Sequence, residues 1–265
     1  MANPNAKNET VPVKSVSKTV LILESLANTD GIGVTEVANL TGLSKATAFR
    51  FLNTLENLGY VRQDGGDLTY SLTLKLFEIA SLVRSRRTVL DEALPVLTDL
   101  SNETKETVHL ATMEAGHLVY LDKIESKLSL KVSMMSEIGR SAPLYCTGVG
   151  KVLLAFLSPE EAAGIIDKTE FERFTANTIT SPDLLKNELH RIRDMGYSMD
   201  NEEHELGVRC IAAPIKNREQ HIVAAVSVSV PSVRLTNDKI EYYRSCVLDA
   251  AERISAIVGS GSLHN

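Results

Sequence analysis

The sequence predicts an α+β protein with two domains joined by a helix. Residues 15–75 show three helical patterns followed by a β-hairpin pattern, and residues 91–260 alternate strand-like runs with helical runs. A further helical pattern over residues 76–90 is expected to form the linker. The polar residues 1–14 are expected to be a disordered tail.

Composition excludes several classes of protein. A chain of 265 residues with 43% hydrophobic and 23% charged residues is ordinary for a globular protein of two modest domains. No apolar stretch could serve as a signal peptide or cross a bilayer, so we expect a cytoplasmic protein without membrane contact. The cysteines Cys146, Cys210 and Cys246 form no CxxC pair, which indicates neither a disulfide framework nor a zinc ribbon.

The distribution of charge separates the two domains. The chain has a net charge of −6, but residues 1–75 carry seven basic and seven acidic residues, so the acidity lies in the remainder. A neutral domain can still contact phosphates if its positive side chains share one face.

The first two helices are short and bounded by glycine. Residues 16–26 form the first, with an apolar stripe predicted at Val16, Val20, Leu23 and Leu26. After a break at residues 28–33, a second helix of about two turns begins at a Gly cap and ends at Gly42.

The third helix follows after only two residues and completes a helix-turn-helix. Ser44 is a suitable cap, and Gly59 ends the helix. The predicted inner stripe is Ala48, Phe51 or Leu52, Leu55 and Leu58. Two β-rich runs around the turn at residues 64–67 then form a hairpin, the wing of a winged helix.

The other side of the third helix carries Lys45, Ala46, Phe49, Arg50 and Asn53, because residues three and four apart share a face. Its N-terminus, with Ser44, Lys45 and Thr47, could hold a phosphate. Arg50 could bind a guanine edge, and Phe49 could contact a thymine methyl. A merely solvated helix is the alternative, but the complete helix-turn-helix with a hairpin favours DNA binding. Arg62 could contact the backbone or minor groove, although the acidic hairpin tip is unfavourable there.

The C-terminal half is predicted to be a sheet with helices on either side. Strand-like runs at residues 107–126, 128–134 and 210–230 pair as hairpins, and helices are predicted at 89–102, 148–157, 158–167, 182–196 and 238–259. This pattern favours an α+β domain over a parallel doubly wound fold. Neither GxGxxG nor GxxxxGK[ST] follows a strand, so no cradle for nucleotide phosphates and no cofactor are predicted.

The acidic segment 200–214 admits three interpretations. Asp200, His204, Glu205 and Cys210 could bind a metal, although their spacing is irregular and a solvated loop is the simpler explanation. A carboxylate pair could act as general acid and base, yet no nucleophile elbow, HExxH motif or catalytic triad accompanies it.

The third interpretation is a binding pocket. Asp200 and the N–H groups of the turn 147–151 would face Ser227 and Ser229, which alternate on one side of a strand, and would hold a carboxylate or ketone oxygen. Ordinary cross-strand hydrogen bonds, and close packing at Gly148 and Gly150, explain the same residues equally well. Lys151 is expected at the surface.

Four stretches resemble the IclR-type bacterial transcriptional regulators: GLSKATAFRFLNTLENLGYV, YSLTLKLFEI, IGRSAPLYCTGVGKVLLA and DNEEHELGVRCIAAPI. They occur in the family's order over residues 16–258. They are most similar to the branch that controls 2-keto-3-deoxygluconate (pectin and hexuronate) catabolism. The resemblance implies a winged helix, a linker helix and a GAF-like domain that binds a small organic or sugar acid.

The resemblance also implies particular site residues and partners. The effector-binding positions are Met134, Ala142, Gly148, Val149, Asp200, Val208, Cys210, Ser227 and Ser229, and the chemistry of Arg140 adds it as a carboxylate partner. Family members form dimers or dimers of dimers, as expected for paired helices on a palindromic operator. Some relatives hold zinc in this pocket.

We therefore expect a DNA-binding transcriptional repressor of a carbohydrate or sugar-acid catabolic operon, controlled by a small organic acid such as a 2-keto-3-deoxy sugar acid. Its DNA-binding residues are Ser44, Lys45, Ala46, Thr47, Phe49, Arg50 and Arg62. An enzyme acting on a sugar acid through Asp200 with Glu202 or Glu203, and a metal-sensing regulator, are the alternatives.

Overall fold

The computed structural model describes residues 13–84, 88–131 and 141–260. The chain forms two compact units, Met1–Arg86 and Arg87–Asn265. The finer domain boundaries expected from the sequence, at residues 15–75, 76–90 and 91–260, stay predictions. No helix within the described residues is long and apolar enough to cross a membrane.

The N-terminal unit is a winged helix-turn-helix, as predicted. Its elements are α1 (Lys14–Ala27), β1 (Ile32–Gly33), α2 (Val34–Thr41), α3 (Lys45–Asn57), β2 (Val61–Gln63), β3 (Thr69–Leu72) and α4 (Lys75–Arg84). The strands form an antiparallel sheet in the order β1-β3-β2. The predicted break at residues 28–33 contains all of β1, in which Ile32 pairs with Tyr70 and Gly33 with Thr69 of β3.

The buried side of α1 differs from the predicted stripe. Val16 and Val20 are 60% and 45% exposed, whereas Ile22 and Leu26 are buried. Ile22 and Leu26 lie one turn apart, so they share the face that packs into the core of this unit. Val16 and Val20 lie on another side of the same helix.

Local signals define the turn between α2 and α3. Gly42 ends α2 with a φ of 65°, a left-handed conformation that glycine adopts without strain. Ala48, Leu52 and Leu55 of α3 are buried, as predicted. The prediction that Leu58 belongs to the inner stripe is wrong: α3 ends at Asn57, and Leu58 is 60% exposed.

The C-terminal unit is built on one antiparallel sheet. Its elements are α5 (Thr88–Thr104), β4 (Thr107–Glu114), β5 (His117–Ile124), α6 (Gly148–Ala155), α7 (Pro159–Ile166), α8 (Pro182–Met195), β6 (Ser198–Asn201), β7 (Val208–Lys216), β8 (Ile222–Pro231) and α9 (Ile240–Ser260). The strand order is β5-β4-β8-β7-β6. Of the strand-like run 128–134, residues 128–131 form no strand, and the rest lies outside the described residues.

The two faces of this sheet have different chemistry. On β8, Val226, Val228 and Val230 join the apolar core formed with α5 and α9. Ala225 lies on the opposite face, which packs against α6 and α8. Because neighbouring residues of a strand point to opposite faces, Ser227 and Ser229 lie on this second face. The α6 face therefore carries the two serines of β8.

Candidate functional site

The outer face of α3 is exposed and cationic. Lys45, Ala46, Phe49 and Arg50 are all exposed, and Phe49 is 51% exposed. Among the described residues, the side chains of Lys45 and Arg50 have no hydrogen-bond or ion-pair partner. An aromatic ring between two unpaired cations is suited to nucleic acid, because phosphates bind the charges and a base can contact the ring.

The N-terminus of α3 is capped by Ser44. The Thr47 amide donates a hydrogen bond to Ser44 Oγ at 3.3 Å, and the two hydroxyl oxygens lie 2.8 Å apart. This bond occupies the Thr47 N–H, so the amides of Lys45 and Ala46 remain as the first-turn donors that could hold an anion.

The wing carries one cation beside an acidic tip. Arg62 lies exposed on β2, paired in register with Ser71. At the tip, the Asp64 carboxylate accepts a hydrogen bond from the Gly66 amide at 2.9 Å, which stabilises the turn. Asp64 therefore has a structural role in this turn. Arg62 is exposed and cationic, so it could bind a phosphate from the wing.

The predicted effector residues lie side by side on the α6 face of the sheet. Asp200 on β6 is opposite Cys210 on β7, and Cys210 is opposite Ser229 on β8. In the adjacent row, Ser227 lies opposite His109 of β4. All five side chains are buried. Strand pairing thus assembles a polar patch from four strands.

Hydrogen bonds connect this patch across the strands. Cys210 Sγ lies 3.1 Å from Ser229 Oγ, which in turn lies 3.3 Å from His109 Nδ1. The His109 and Tyr120 rings also pack together, with centroids 5.2 Å apart. Sequence reasoning missed His109, which gives no distinct local signal because Thr107 and Thr112 of the same strand are also polar and buried.

The N-terminal turn of α6 packs tightly on the patch. A Cβ at Gly148 would lie 3.4 Å from Cys210 Cβ and 3.5 Å from Ala212 Cβ, so Gly148 allows the close approach. Thr147 caps the helix by accepting a hydrogen bond from the Gly150 amide at 3.2 Å. The Gly148 and Val149 amides are the remaining first-turn donors, beside the polar patch.

Burial sets the protonation of the patch. It raises the pKa of Asp200 to about 7, although the Glu203 amide and Lys151 act in the opposite direction. Burial also raises the pKa of the Cys210 thiol well above its ordinary value, and burial together with Lys123 lowers the pKa of His109 to about 3. Near neutral pH the patch therefore offers a thiol, a neutral imidazole and a partly protonated carboxyl, which suits binding of an anion.

The acidic loop (residues 202–207) does not form an acid–base pair with Asp200. The Glu202 carboxylate accepts a hydrogen bond from the Gly207 amide at 2.7 Å and so closes the loop. Glu203 forms an ion pair with Lys151. Both carboxylates have structural partners, so the arrangement gives the enzyme hypothesis no support.

The metal interpretation also gains no support. Within the part of the chain that the structure describes, no group of three His, Cys, Asp or Glu side chains is arranged to hold a metal ion. Asp200 and Cys210 are neighbours, but the His204 ring instead packs against Phe174, with centroids 4.9 Å apart.

The remaining predicted residues are divided between described and undescribed parts of the chain. Val208 packs with Cys210, and Val149 and Ala142 belong to the apolar cluster on the α6 face. Met134 and Arg140 lie outside the described residues. The expectation that Lys151 lies at the surface is wrong, because its side chain is fully buried.

Comparison with known proteins identifies both units. Residues 15–65 match the IclR helix-turn-helix domain, and residues 82–256 match the C-terminal domain of bacterial IclR transcriptional regulators. The chain is 40% identical to the HTH-type transcriptional regulator KdgR of Escherichia coli strain K12 over 259 residues, which cover 98% of both proteins.

Solved structures support the same assignment. The IclR protein of Thermotoga maritima is 35% identical, with a TM-score of 0.73 over 94% of this chain and 100% of that one. The fold is also that of an IclR homologue from Microbacterium hydrocarbonoxydans complexed with 4-hydroxybenzoate, with a TM-score of 0.79 and 23% identity over 93% of this chain and 99% of that one. The chain therefore belongs to the IclR family of bacterial transcriptional regulators, which are DNA-binding proteins and not enzymes.

Proposed function

We propose that this regulator represses a sugar-acid catabolic operon and is released from its operator by a small organic acid, such as a 2-keto-3-deoxy sugar acid. Such a regulator acts in the bacterial cytoplasm, where the operator lies. The observation that carries the proposal is the exposed, unpaired cationic face of α3 beside a capped helix N-terminus.

DNA recognition is assigned to α3 and the wing. Lys45 and the first-turn amides bind phosphate, Arg50 binds a base edge, and Phe49 packs against a base. Ser44 and Thr47 fix the first turn, Ala46 permits close approach, and Arg62 contacts the backbone from the wing. These roles are inferred from exposure, from charge and from the hydrogen bond between the Thr47 amide and Ser44.

Effector binding is assigned to the polar patch beneath α6. The acid's carboxylate accepts hydrogen bonds from the Gly148 and Val149 amides, while Asp200, Cys210, Ser227 and Ser229 contact its hydroxyl and keto groups. Ala142 and Val208 supply apolar walls, and Met134 and Arg140 are retained as proposed contacts from the sequence alone. Support comes from the 40% identity to KdgR and from the organic acid named in the Microbacterium complex.

The two activities are coupled if the acid binds one arrangement of the DNA-binding domains more tightly than the other. We propose a homodimer or homotetramer, because paired recognition helices read the two halves of a palindromic operator. The acid then shifts the population toward an arrangement whose spacing does not match the operator.

Operator binding and release test this function directly. The full-length protein is titrated against promoter fragments from its own gene and its neighbours, at several salt concentrations, with and without 2-keto-3-deoxygluconate. We expect sequence-specific binding that weakens steeply with salt and is reversed by the acid. Pyruvate, glyoxylate and 4-hydroxybenzoate at equal ionic strength serve as matched acids.

The outcomes separate the parts of the proposal. Absence of specific binding to every fragment would reject the DNA-binding role of α3. Binding that none of the acids reverses would reject control by a small acid. Release by 4-hydroxybenzoate and not by the sugar acid would replace the effector class with aromatic acids.

A further inference from the structure

Lys151 is a charged residue in an otherwise apolar buried helix. Every other residue of α6 is Gly, Ala, Val or Leu, yet the Lys151 side chain is among the largest that are fully buried. Its ammonium donates a hydrogen bond to the Met199 carbonyl oxygen at 2.7 Å and forms an ion pair with Glu203. Glu188 Oε1 of α8 lies 3.7 Å from the same nitrogen. One ammonium therefore joins α6 to β6, to the acidic loop and to α8.

Glu203 connects Lys151 to Asp200 of the polar patch. Its backbone amide donates a hydrogen bond to Asp200 Oδ1 at 2.8 Å, which holds the Asp200 carboxyl in place. Its carboxylate also lies within reach of the Asn201 amide, at 3.5 Å. The chain of contacts runs from Lys151 through Glu203 to Asp200, the residue assigned to contact the effector.

The acidic loop is held from its other side by two threonines. Thr175 Oγ1 donates a hydrogen bond to the Glu202 carbonyl oxygen at 2.6 Å, and Thr178 Oγ1 donates one to the Glu203 carbonyl oxygen at 2.6 Å. The backbone of the loop is thus fixed by neutral groups, and its acidic side chain is fixed by Lys151. The two kinds of contact can be separated by mutation.

Stability alone does not explain a buried lysine at this position. Desolvating an ion pair offsets most of its attraction, and apolar replacements of such pairs are often equally stable. The pair is also imperfect, since Glu203 Oε2 is buried without a hydrogen-bond partner among the described residues. An ion pair that is no more stable than an apolar pair, but that fixes one geometry, is expected where geometry matters, as it does beside a ligand.

We infer that Lys151 is the positioning residue of the effector pocket: its pairing with Glu203 holds the Asp200 carboxyl against the N-terminal turn of α6, in the geometry that receives a small acid. The inference rests on the proposed function only for the nature of the ligand. The positioning of the loop is testable without any ligand.

The ligand-dependent test compares variants by calorimetric titration of the full-length protein with 2-keto-3-deoxygluconate. Lys151→Met keeps the length of the side chain and removes its charge. We expect it to weaken binding at least about tenfold, or ~1.4 kcal/mol. The matched control is Lys186→Met, which changes an exposed lysine of α8 and should bind as the wild type does.

A double variant separates positioning from stability. Lys151→Met with Glu203→Gln removes the isolated buried charge and should recover thermal stability, but it leaves the loop without its ion pair. Effector affinity should therefore stay weak. Recovery of affinity together with stability would overturn the inference. Glu203→Gln alone, which keeps a hydrogen bond to Lys151, covers the case in which Lys151→Met does not fold.

The pH dependence of binding tests whether the Lys151 charge acts on Asp200. Charged or titratable groups around Asp200 are Lys151 of α6, Glu203 and His204 of the acidic loop, Cys210 of β7, Cys146 before α6, and Tyr120 of β5. A small anion binds best when Asp200 is protonated, so affinity should fall as the pH rises through about 7. Because Lys151 lowers the pKa of Asp200, Lys151→Met should shift this midpoint upward.

Amide hydrogen exchange of the ligand-free protein tests the positioning role independently. We expect exchange of residues 200–207 to rise about tenfold in Lys151→Met and to stay unchanged in Lys186→Met. Unchanged exchange in Lys151→Met would overturn the inference even if the acid binds. Increased exchange in a protein that binds no acid would support the role of Lys151 and reject the proposed effector.

Discussion

Helices α3 and α6 begin in the same way and differ in everything around them. Each has a hydroxyl cap that accepts a hydrogen bond from the amide three residues later, Ser44 from Thr47 at 3.3 Å and Thr147 from Gly150 at 3.2 Å. One side of α3 remains exposed, whereas every residue of α6 is buried. The same local signal thus produces a surface helix in one unit and a core helix in the other.

The difference decides what a lysine does in each helix. Lys45 at the start of α3 is exposed and has no ion-pair or hydrogen-bond partner among the described residues, so its charge is available to a phosphate. Lys151 is enclosed and paired with Glu203, so its charge is used within the protein. Accessible charges serve recognition of an external partner, and enclosed charges fix internal geometry.

Removing Lys151 should affect stability far more than removing Lys45. Lys151→Met leaves the Glu203 carboxylate buried without its cation, and we expect the free energy of unfolding to fall by about 3–5 kcal/mol. Lys45→Met should leave it unchanged within error. Urea denaturation of both variants measures the contrast, and equal stabilities would show that the Lys151 ion pair is not buried in solution.

Gly150 of α6 and Gly164 of α7 should respond in opposite ways to replacement by alanine. A Cβ at Gly150 would lie 2.5 Å from the Leu144 carbonyl oxygen and 2.5 Å from Thr147 Oγ1, so Gly150→Ala should destabilise the protein by about 1–3 kcal/mol. The matched control is Gly164→Ala in α7, where an added Cβ meets nothing within 4 Å. That change should stabilise by about 0.5–1 kcal/mol. Thermal unfolding of the pair checks both signs.

Arg50 and Lys45 should affect DNA binding in different ways. Arg50→Ala removes the proposed base contact and should weaken specific operator binding by about 1–3 kcal/mol, with less effect on unrelated DNA. Lys45→Ala should weaken binding to all sequences similarly and reduce the salt slope by about 1. Fluorescence anisotropy on operator and scrambled duplexes distinguishes the two. An Arg50→Ala protein with unaltered specificity would remove Arg50 from the base-contacting set.

The smallest expected effect concerns the cap of α3. Ser44→Ala removes the acceptor for the Thr47 amide and should cost about 1 kcal/mol of stability. Ser44→Asp restores an acceptor and should recover the stability. However, its charge near phosphate should still weaken operator binding at low salt. If Ser44→Asp bound the operator as tightly as the wild type, the start of α3 would not face the DNA backbone.

Sequence reasoning succeeded where the signal was local. The Ser44 cap, Gly42 and the spacing of Ala48, Leu52 and Leu55 identified α3 and its outer face, because capping and periodicity act within one or two turns. It failed for α1, where Ile22 and not Val16 faces the core. Both sides of α1 carry apolar residues, so only packing against the neighbouring elements decides which side is buried.

The polar patch also combines a feature that a local pattern predicted with one that it did not. Alternation on β8 predicted that Ser227 and Ser229 share a face, and the structure places them there. The partner of Ser229 could not be predicted: His109 lies 120 residues earlier in the chain. The contact between Ser229 and His109 depends on the pairing of β8 with β4, and no local pattern specifies which strands become neighbours.

Local sequence patterns were enough to predict a winged helix, an exposed cationic face on α3 and a family of DNA-binding regulators. The burial of Lys151 and its pairing with Glu203, 52 residues away, depend on how the elements of the C-terminal unit pack together. The two kinds of feature differ in the range of the interactions that produce them. Caps, turns and periodicity are satisfied by neighbouring residues, whereas the environment of a charge depends on every element that packs around it.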